Sequence, residues 1–279
     1  MPQSQTRSGI FSRRSLIAMI PAALLVQACS KKAGKADENW LAFGTGGSAV
    51  DHSAWDAFLG KYVRPSPDGI NRVAYAEAVK AGRAMLAPYL GLLQKTTVKD
   101  LSRDEQFAFW VNLYNAATVD LILQKYPVKS IKDIGLLGQG PWGDKRLKVE
   151  GRELSLDDIE HTILRPIWKD VRIHYAVNCA SIGCPNLAVK AWRGDQLEPM
   201  LNAAAAAYIN HPRGFAMVDG SLVASNIYEW YEVDWGSPEK VLAHARTFAS
   251  GAPAAMLASA KTIDSYDYNW SLNEAILDG

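Results

Sequence analysis

The longest apolar helical pattern in the chain constrains its fold more than any other feature. The pattern opens at Ser102, where Ser-Arg-Asp-Glu has the form of a capping box, and it stops at Tyr126-Pro127. Large apolar side chains fall on opposite sides of the helix, with Phe107 on one face and Phe109 on the other. Because a helix that is apolar all round is a buried one, the pattern predicts a helix at the centre of the protein.

Two asparagines interrupt this apolar helix. Asn112 and Asn115 lie on one side of it, so their amides are predicted to lie inside the core. Each buried amide without a partner would cost roughly 1 to 3 kcal/mol, so both need hydrogen bonds. Either they hold loop backbone in place or one of them orients a catalytic group.

The rest of the chain alternates helical patterns with short hairpins. The hairpins are predicted to turn at Glu150-Gly151 and at Asp219-Gly220. Further helices are predicted at residues 55–61, 75–86, 195–209 and 237–249. We therefore predict an α+β fold, with a helix-rich body around the buried central helix and a small antiparallel sheet.

Composition and charge limit the kinds of partner. The chain has 279 residues, of which 48% are hydrophobic and 21% charged, as expected for one compact domain over residues 51–279. With 30 basic and 29 acidic residues the net charge is +1, so no long-range field favours nucleic acid. The expected partner is a small molecule or a peptide that the sequence does not identify.

Residues 1–29 are typical of a bacterial export signal. Ser12 to Ile17 resembles a twin-arginine motif, and Leu16 to Val26 is an apolar run that is short for a bilayer span. The run ends at an Ala-Cys pair that resembles a lipobox, which makes Cys29 the predicted lipidation site; a plain N-terminal membrane anchor is the alternative. The Gly-, Ser- and Lys-rich residues 30–50 then indicate a flexible tether. We expect a lipid-anchored protein of the cell envelope, in the periplasm.

Two thiols follow a strand-like stretch. From Arg172 to Asn178 apolar and polar residues alternate, which predicts a half-buried strand. The following sequence contains a Gly and a Pro, so Cys179 and Cys184 are predicted to lie in a turn at the strand end. His174 lies on the polar face of the same stretch.

A buried carboxylate is predicted just before this stretch. Ser155 is expected to cap a short helix that ends at Pro166, and Glu160 falls within the apolar stripe of that helix. A buried carboxylate is costly unless it is paired or protonated, so Glu160 is expected to meet an Arg, a His or a hydroxyl group. Glu160 therefore forms either a structural salt bridge, for example to Arg172, or part of a catalytic group.

Three kinds of site fit these residues. The first is a structural disulfide between Cys179 and Cys184, which suits an oxidising compartment and makes the domain a binding or scaffold module. The second is a thiol-dependent hydrolase or transferase in which Glu160 orients His174, one cysteine is the nucleophile, and an Asn amide donates to an oxyanion. The third is a metal site formed by both cysteines, His174 and Glu160, although the spacing is not one typical of zinc. The disulfide module is our first expectation and the thiol enzyme the alternative; no cofactor is expected.

Several blocks resemble the DUF547 family. They are Gln106 to Ala116, Tyr126 to Ile131, Leu154 to Arg165, Arg172 to Leu187, Ser225 to Tyr231 and Tyr266 to Asn273. The resemblance covers roughly residues 100–273 in the order of the family. It implies a helical body with a small sheet, and it brings no settled activity or cofactor.

Overall fold

The long apolar helix lies at the centre of the protein, as predicted. The computed structural model describes residues 33–47, 49–135 and 140–275, so the predicted export signal and Cys29 lie outside the described residues. Helix α3 spans Arg103–Lys125, and the Ser102 hydroxyl accepts a hydrogen bond from the Glu105 amide. Phe107 and Phe109, on opposite faces, are both buried.

The first half of the chain packs helices and two hairpins against α3. The elements are α1 (Ser53–Tyr62), β1 (Val63–Pro65), β2 (Asn71–Val73), α2 (Tyr75–Lys95), β3 (Leu147–Val149) and β4 (Arg152–Leu154). Helix α2 lies along α3, and α1 lies along α2. The side chains of α1, α2 and α3 share one hydrophobic core.

The second half forms a smaller core around a mixed sheet. Its elements are α5 (Leu197–Ile209), β5 (Phe215–Val218), β6 (Ser221–Ser225), α6 (Asn226–Trp230), α7 (Glu232–Trp235), α8 (Pro238–Phe248), α9 (Gly251–Ser259) and β7 (Ser265–Asp267). Strand β6 pairs antiparallel with β5 and parallel with β7. The α+β class is thus confirmed, with small two-stranded antiparallel sheets and one three-stranded mixed sheet in place of a single antiparallel sheet.

Both predicted hairpin turns are present. Glu150 and Gly151 have φ angles of 46° and 82°, and Asp219 and Gly220 have φ angles of 49° and 82°. Two consecutive residues with positive φ are the mark of a type I′ turn, which matches the twist of the flanking strands. Asp-Gly and Glu-Gly therefore fix the register of β5 with β6 and of β3 with β4.

The strand predicted from Arg172 to Asn178 is wrong. Val171–Tyr175 forms a 3₁₀-helix instead, because the Asp170 carboxylate accepts a hydrogen bond from the Arg172 amide at 2.9 Å and caps the turn. His174 and its neighbours Ile173 and Tyr175 are all buried. The alternation of residue types consequently does not correspond to a buried and an exposed face.

The helix predicted to end at Pro166 also continues past it. A π-helix spans Asp158–Leu164 and leads directly into α4 (Arg165–Trp168). Pro166 lies in the first turn of α4 and has no N–H to donate, and the carbonyl of Thr162, four residues before it, accepts the Asp37 amide instead. The prediction failed because it treated Pro166 as a stop when it lies at a start.

The described part of the predicted tether packs on the body. The Gly34 and Asp37 amides donate to the carbonyls of His161 and Thr162 in the π-helix, at 2.8 and 3.0 Å. Trp40 is 2% exposed. Residues 33–47 are therefore part of the folded body rather than a free linker. Among the described residues, no helix is long and apolar enough to cross a bilayer.

Candidate thiol site

The two thiols lie in a tight loop with a strained residue between them. Ala180 has a φ of 61°, a left-handed conformation that costs a residue with a Cβ roughly 1 to 2 kcal/mol. The Cys184 amide donates to the Ser181 carbonyl at 3.1 Å, which closes the loop on itself. Strain of this kind persists only where the surrounding contacts determine the conformation.

Asn115 and Asn178 supply those contacts. The Asn115 amide donates to the Ala176 carbonyl at 3.0 Å and accepts from the Asn178 backbone N–H at 2.8 Å. Asn178 in turn donates to the Pro185 carbonyl at 2.7 Å and accepts from the Ala180 amide at 2.9 Å. The central helix α3 thus holds the thiol loop through one buried side chain.

Asn112 holds a different loop. Its side-chain amide both donates to and accepts from the backbone of Trp192, at 2.8 and 2.9 Å. For Asn112 and Asn115 alike, both ends of the side-chain amide are used by loop backbone. Both asparagines therefore hold loops in place, which is the first of the two roles predicted from the sequence.

The predicted structural disulfide is not formed. Cys179 and Cys184 are both free thiols. The Cys184 sulfur lies 3.0 Å from the Cys179 backbone nitrogen and accepts its N–H, so a hydrogen bond stands where the sequence predicted a covalent link. Cys179 is partly exposed and Cys184 is buried, so Cys179 is the more exposed residue of the pair.

A tyrosine from the end of the chain contacts both sulfurs. The Tyr268 hydroxyl lies 3.2 Å from Cys179 Sγ and donates to Cys184 Sγ at 3.1 Å. It also lies 2.7 Å from the Ser181 hydroxyl, which is 3.3 Å from Cys179 Sγ. Two hydroxyl groups and two sulfurs therefore form one small cluster.

Backbone pairing brings Tyr268 to this position. The amides of Ile182 and Gly183 donate to the carbonyls of Ser271 and Asn269, both at 2.8 Å. A Cβ on Gly183 would lie 2.9 Å from the Tyr268 ring, closer than such contacts occur, so only glycine lets the ring pack on the loop. The thiol loop and the C-terminal segment are thereby fixed to each other.

The hydrogen bonds shift the pKa values of the two thiols in opposite directions. Burial raises the pKa of Cys184, but hydrogen bonds from Cys179, Tyr268 and the Cys179 amide outweigh it and lower that pKa to about 7. The hydrogen bond to Cys184, followed by burial, raises the pKa of Cys179 well above its usual value. The hydrogen bonds thus make Cys184 the more acidic of the two thiols.

His174 belongs to a second cluster. Its Nε2 lies 2.7 Å from Asp234, and its ring stacks on Tyr231 with the centroids 4.2 Å apart. Asp234 also accepts two hydrogen bonds from Arg165, at 2.6 and 3.0 Å. Burial lowers the pKa of His174, so the ring is neutral and donates to the carboxylate. Among the described contacts, the hydrogen-bond partner of His174 is Asp234 and neither thiol is one.

Glu160 is buried and meets a hydroxyl group, as predicted. It is 5% exposed and forms a hydrogen bond with Tyr231. Arg172, the predicted salt-bridge partner, instead pairs with Asp170 and Glu198. The structure thus brings the two cysteines together and places Glu160 and His174 on either side of Tyr231, without the Glu-His-Cys order of the proposed triad.

A metal centre is not assembled in the described residues. No group of three or more His, Cys, Asp or Glu side chains lies close enough together to hold an ion there. Hydroxyl groups, rather than ligating side chains, complete the surroundings of the two sulfurs.

The sequence from residue 98 to residue 209 matches a known family, described as "Protein of unknown function, DUF547". The match supports a DUF547 domain over this stretch. The DUF547 match includes both thiols, Asn115 and His174, but it ends before Asp234 and Tyr268. No curated protein and no solved structure matches the chain.

Sequence reasoning missed the residues beyond the DUF547 match. Tyr268, which contacts both sulfurs, enters the sequence analysis only as a member of the block from Tyr266 to Asn273, and Asp234, which contacts His174, is not singled out there. A tyrosine in an exposed C-terminal segment gives no sign of its partner, because the pairing with the thiol loop is visible only in the fold. Ser181 lies between the two cysteines in the sequence, and that position is a signal by which it could have been found.

Proposed function

We propose that the protein is a thiol–disulfide exchange protein, with Cys179 as the attacking thiol and Cys184 as the resolving thiol. The observation that carries the proposal is the shared environment of the two sulfurs, with Tyr268 at 3.2 and 3.1 Å from them and the Cys179 N–H on Cys184. An accessible thiol in front of a buried one is the arrangement that such exchange needs.

The first step forms a mixed disulfide. Cys179 gives its proton to the Cys184 thiolate, and the resulting Cys179 thiolate is stabilised by the hydroxyls of Ser181 and Tyr268. This thiolate attacks one sulfur of a substrate disulfide and bonds to it, and the other substrate sulfur leaves as a thiolate that takes a proton from water.

The second step closes the protein disulfide. Cys184 attacks Cys179 Sγ, the bond between Cys179 and the substrate sulfur breaks, and the Cys184 proton passes to the leaving substrate thiolate. The substrate disulfide gains two electrons and the pair of cysteines loses them. A dithiol or small thiol reverses both steps, so the direction depends on the reduction potential of the partner.

This function fits the geometry better than the two predicted from the sequence. A scaffold with a structural disulfide requires a bond that the structure lacks. A Cys-His hydrolase requires a base at the sulfur, and the described hydrogen bond of His174 goes to Asp234. The neighbour that can take the Cys179 proton is Cys184.

The reaction with glutathione disulfide tests the proposal, in a Cys29→Ser background so that two thiols remain. We expect the protein to lose two hydrogens by mass and to release two glutathione molecules, with none retained. The Cys184→Ser variant should stop at a mixed disulfide that retains one glutathione. If the unaltered pair also stops at a stable mixed disulfide, or does not react, exchange through Cys184 is excluded.

We also propose that the protein is exported and held to a membrane by lipid on Cys29. The support is the twin-arginine-like motif and the lipobox-like end of the apolar run. An envelope location suits the proposed chemistry, because disulfides persist in that compartment. Detergent partitioning of the full chain and of Cys29→Ser distinguishes lipidation from a plain anchor: only lipidation predicts that the variant moves to the aqueous phase.

A further inference from the structure

A group of partly exposed aromatic side chains borders the thiol site. Trp142, Trp230, Tyr268 and Trp270 form it, and we call it the aromatic surface. Trp230 and Trp270 stack with centroids 5.3 Å apart, and Trp142 meets Trp270 edge-on at 5.8 Å. Tyr268 contacts Trp230 and Trp270 at 4.8 and 4.7 Å. Large aromatic side chains that stay partly exposed and in contact are typical of a binding surface.

Tyr268 joins this surface to the reacting sulfur. Its hydroxyl lies 3.2 Å from Cys179 Sγ, while its ring contacts the two tryptophans. The Tyr268 side chain therefore lies between the sulfur of Cys179 and the indole rings of Trp230 and Trp270. A substrate whose sulfur bonds to Cys179 therefore has neighbouring groups within reach of the aromatic surface.

The chemistry of the surface limits what those groups are. Its members are uncharged, and Lys132 already lies over the Trp270 ring at 4.9 Å from the centroid. In an extended peptide, residues two apart are about 6.6 Å apart on the same side. The centroid distance of 5.8 Å between Trp142 and Trp270 is close to that spacing. Apolar side chains on the two residues that flank a cysteine are themselves two apart, so their spacing is similar to that of these two rings.

We infer that the aromatic surface binds a peptide segment whose disulfide-bonded cysteine is flanked by apolar or aromatic residues. The inference rests on the proposed exchange function and adds its substrate class. It distinguishes a protein or peptide disulfide from a small hydrophilic one such as glutathione disulfide, which has no apolar groups to place on the rings.

Two short peptides test it, Phe-Cys-Leu and Ser-Cys-Ser, each blocked at both ends and each carrying glutathione on its cysteine. Release of glutathione or peptide thiol gives the second-order rate constant for each. We expect the Phe-Cys-Leu disulfide to react at least tenfold faster than the Ser-Cys-Ser disulfide. In Trp270→Ala and in Trp230→Ala the ratio should fall to below threefold.

Trp168→Ala is the matched control, because Trp168 is also partly exposed but packs on Phe43 and Phe107 away from the thiols. It should keep the ratio of the unaltered protein. Equal rates for the two peptides, with normal reaction of glutathione disulfide, would overturn the inference and leave the exchange function standing. Failure of all disulfides to react would overturn the exchange function itself.

Discussion

Tyr268 donates its hydroxyl to the sulfur of Cys184 at 3.1 Å, across 84 residues of sequence. The bond joins the end of the chain to the loop that carries both thiols, and the backbone pairs of Ile182 and Gly183 with residues 269–271 run beside it. The DUF547 match stops at residue 209, so the sequence that matches the family does not contain the whole site. The acidity of the thiol pair therefore depends on a segment beyond the match.

Removing the Tyr268 hydroxyl should make the thiol pair less acidic. A hydrogen bond to a charged group contributes roughly 1.5 to 3 kcal/mol, so Tyr268→Phe should raise the apparent pKa by about one unit from about 7. Alkylation by iodoacetamide at pH 7 should slow by about fivefold, because less thiolate is present. Tyr266→Phe, on β7, is the control and should leave the pH profile unchanged. Identical profiles for the two variants would contradict the role given to Tyr268.

Gly183→Ala should also raise the apparent pKa of the thiol pair, because it displaces the ring of Tyr268. The new Cβ would lie 2.9 Å from the ring of Tyr268, so the ring must move away from the sulfurs. Overpacking of this kind costs roughly 1 to 3 kcal/mol of stability. The control is Gly91→Ala in α2, where nothing lies near the added methyl group and a small stabilisation is expected. Urea denaturation measures both, and a thiol pKa that stays at about 7 in Gly183→Ala would show that the contact with Tyr268 is unimportant.

His174→Gln separates thiol exchange from a Cys-His enzyme. The glutamine amide can still donate to Asp234, which remains paired with Arg165. We expect the alkylation rate of the thiols at pH 7 to stay within about twofold, since the described contact of His174 is with Asp234 and not with a sulfur. A tenfold loss of thiol reactivity in a folded variant would instead restore the Cys-His hypothesis.

Local patterns in the sequence predicted the fold well where one residue type decides the conformation. Ser102 starts α3, and the Asp219-Gly220 pair forms a tight turn, because a hydroxyl cap and a glycine act within a few residues. The buried state of Glu160 followed from its position in an apolar stripe. These features need no knowledge of distant segments.

The partners in the site were not predictable in this way. The strand expected from Arg172 to Asn178 failed because a local cap from Asp170 outweighed the alternation. The disulfide expected between Cys179 and Cys184 rested on sequence spacing and compartment, whereas the sulfurs take hydrogen bonds from Tyr268 and backbone. Tyr268 comes from a segment far from the cysteines in the chain, so spacing alone does not reveal it.

The buried side chain of His52 should make the stability of the protein sensitive to acid. His52 is 1% exposed, and its Nδ1 lies 2.7 Å from the Tyr89 hydroxyl. Burial, followed by the charge of Arg193, lowers the pKa of His52 from 6.5 to about 4. As the pH falls below 6.5 the unfolded chain gains a proton on His52 that the folded protein does not, so unfolding becomes more favourable until about pH 4.

The free energy of unfolding should therefore fall more in the unaltered protein than in His52→Gln between pH 7 and pH 4.5. The expected difference is about 2 to 3 kcal/mol, from two pKa units at 1.36 kcal/mol each. Burial also lowers the pKa of His174 and His244. Both histidines are present in the two proteins, so their effects on the pH dependence of stability cancel in the comparison. Urea unfolding at several pH values measures the difference. Parallel curves would mean that His52 has an ordinary pKa, and that the acid sensitivity of the core comes from the other histidines.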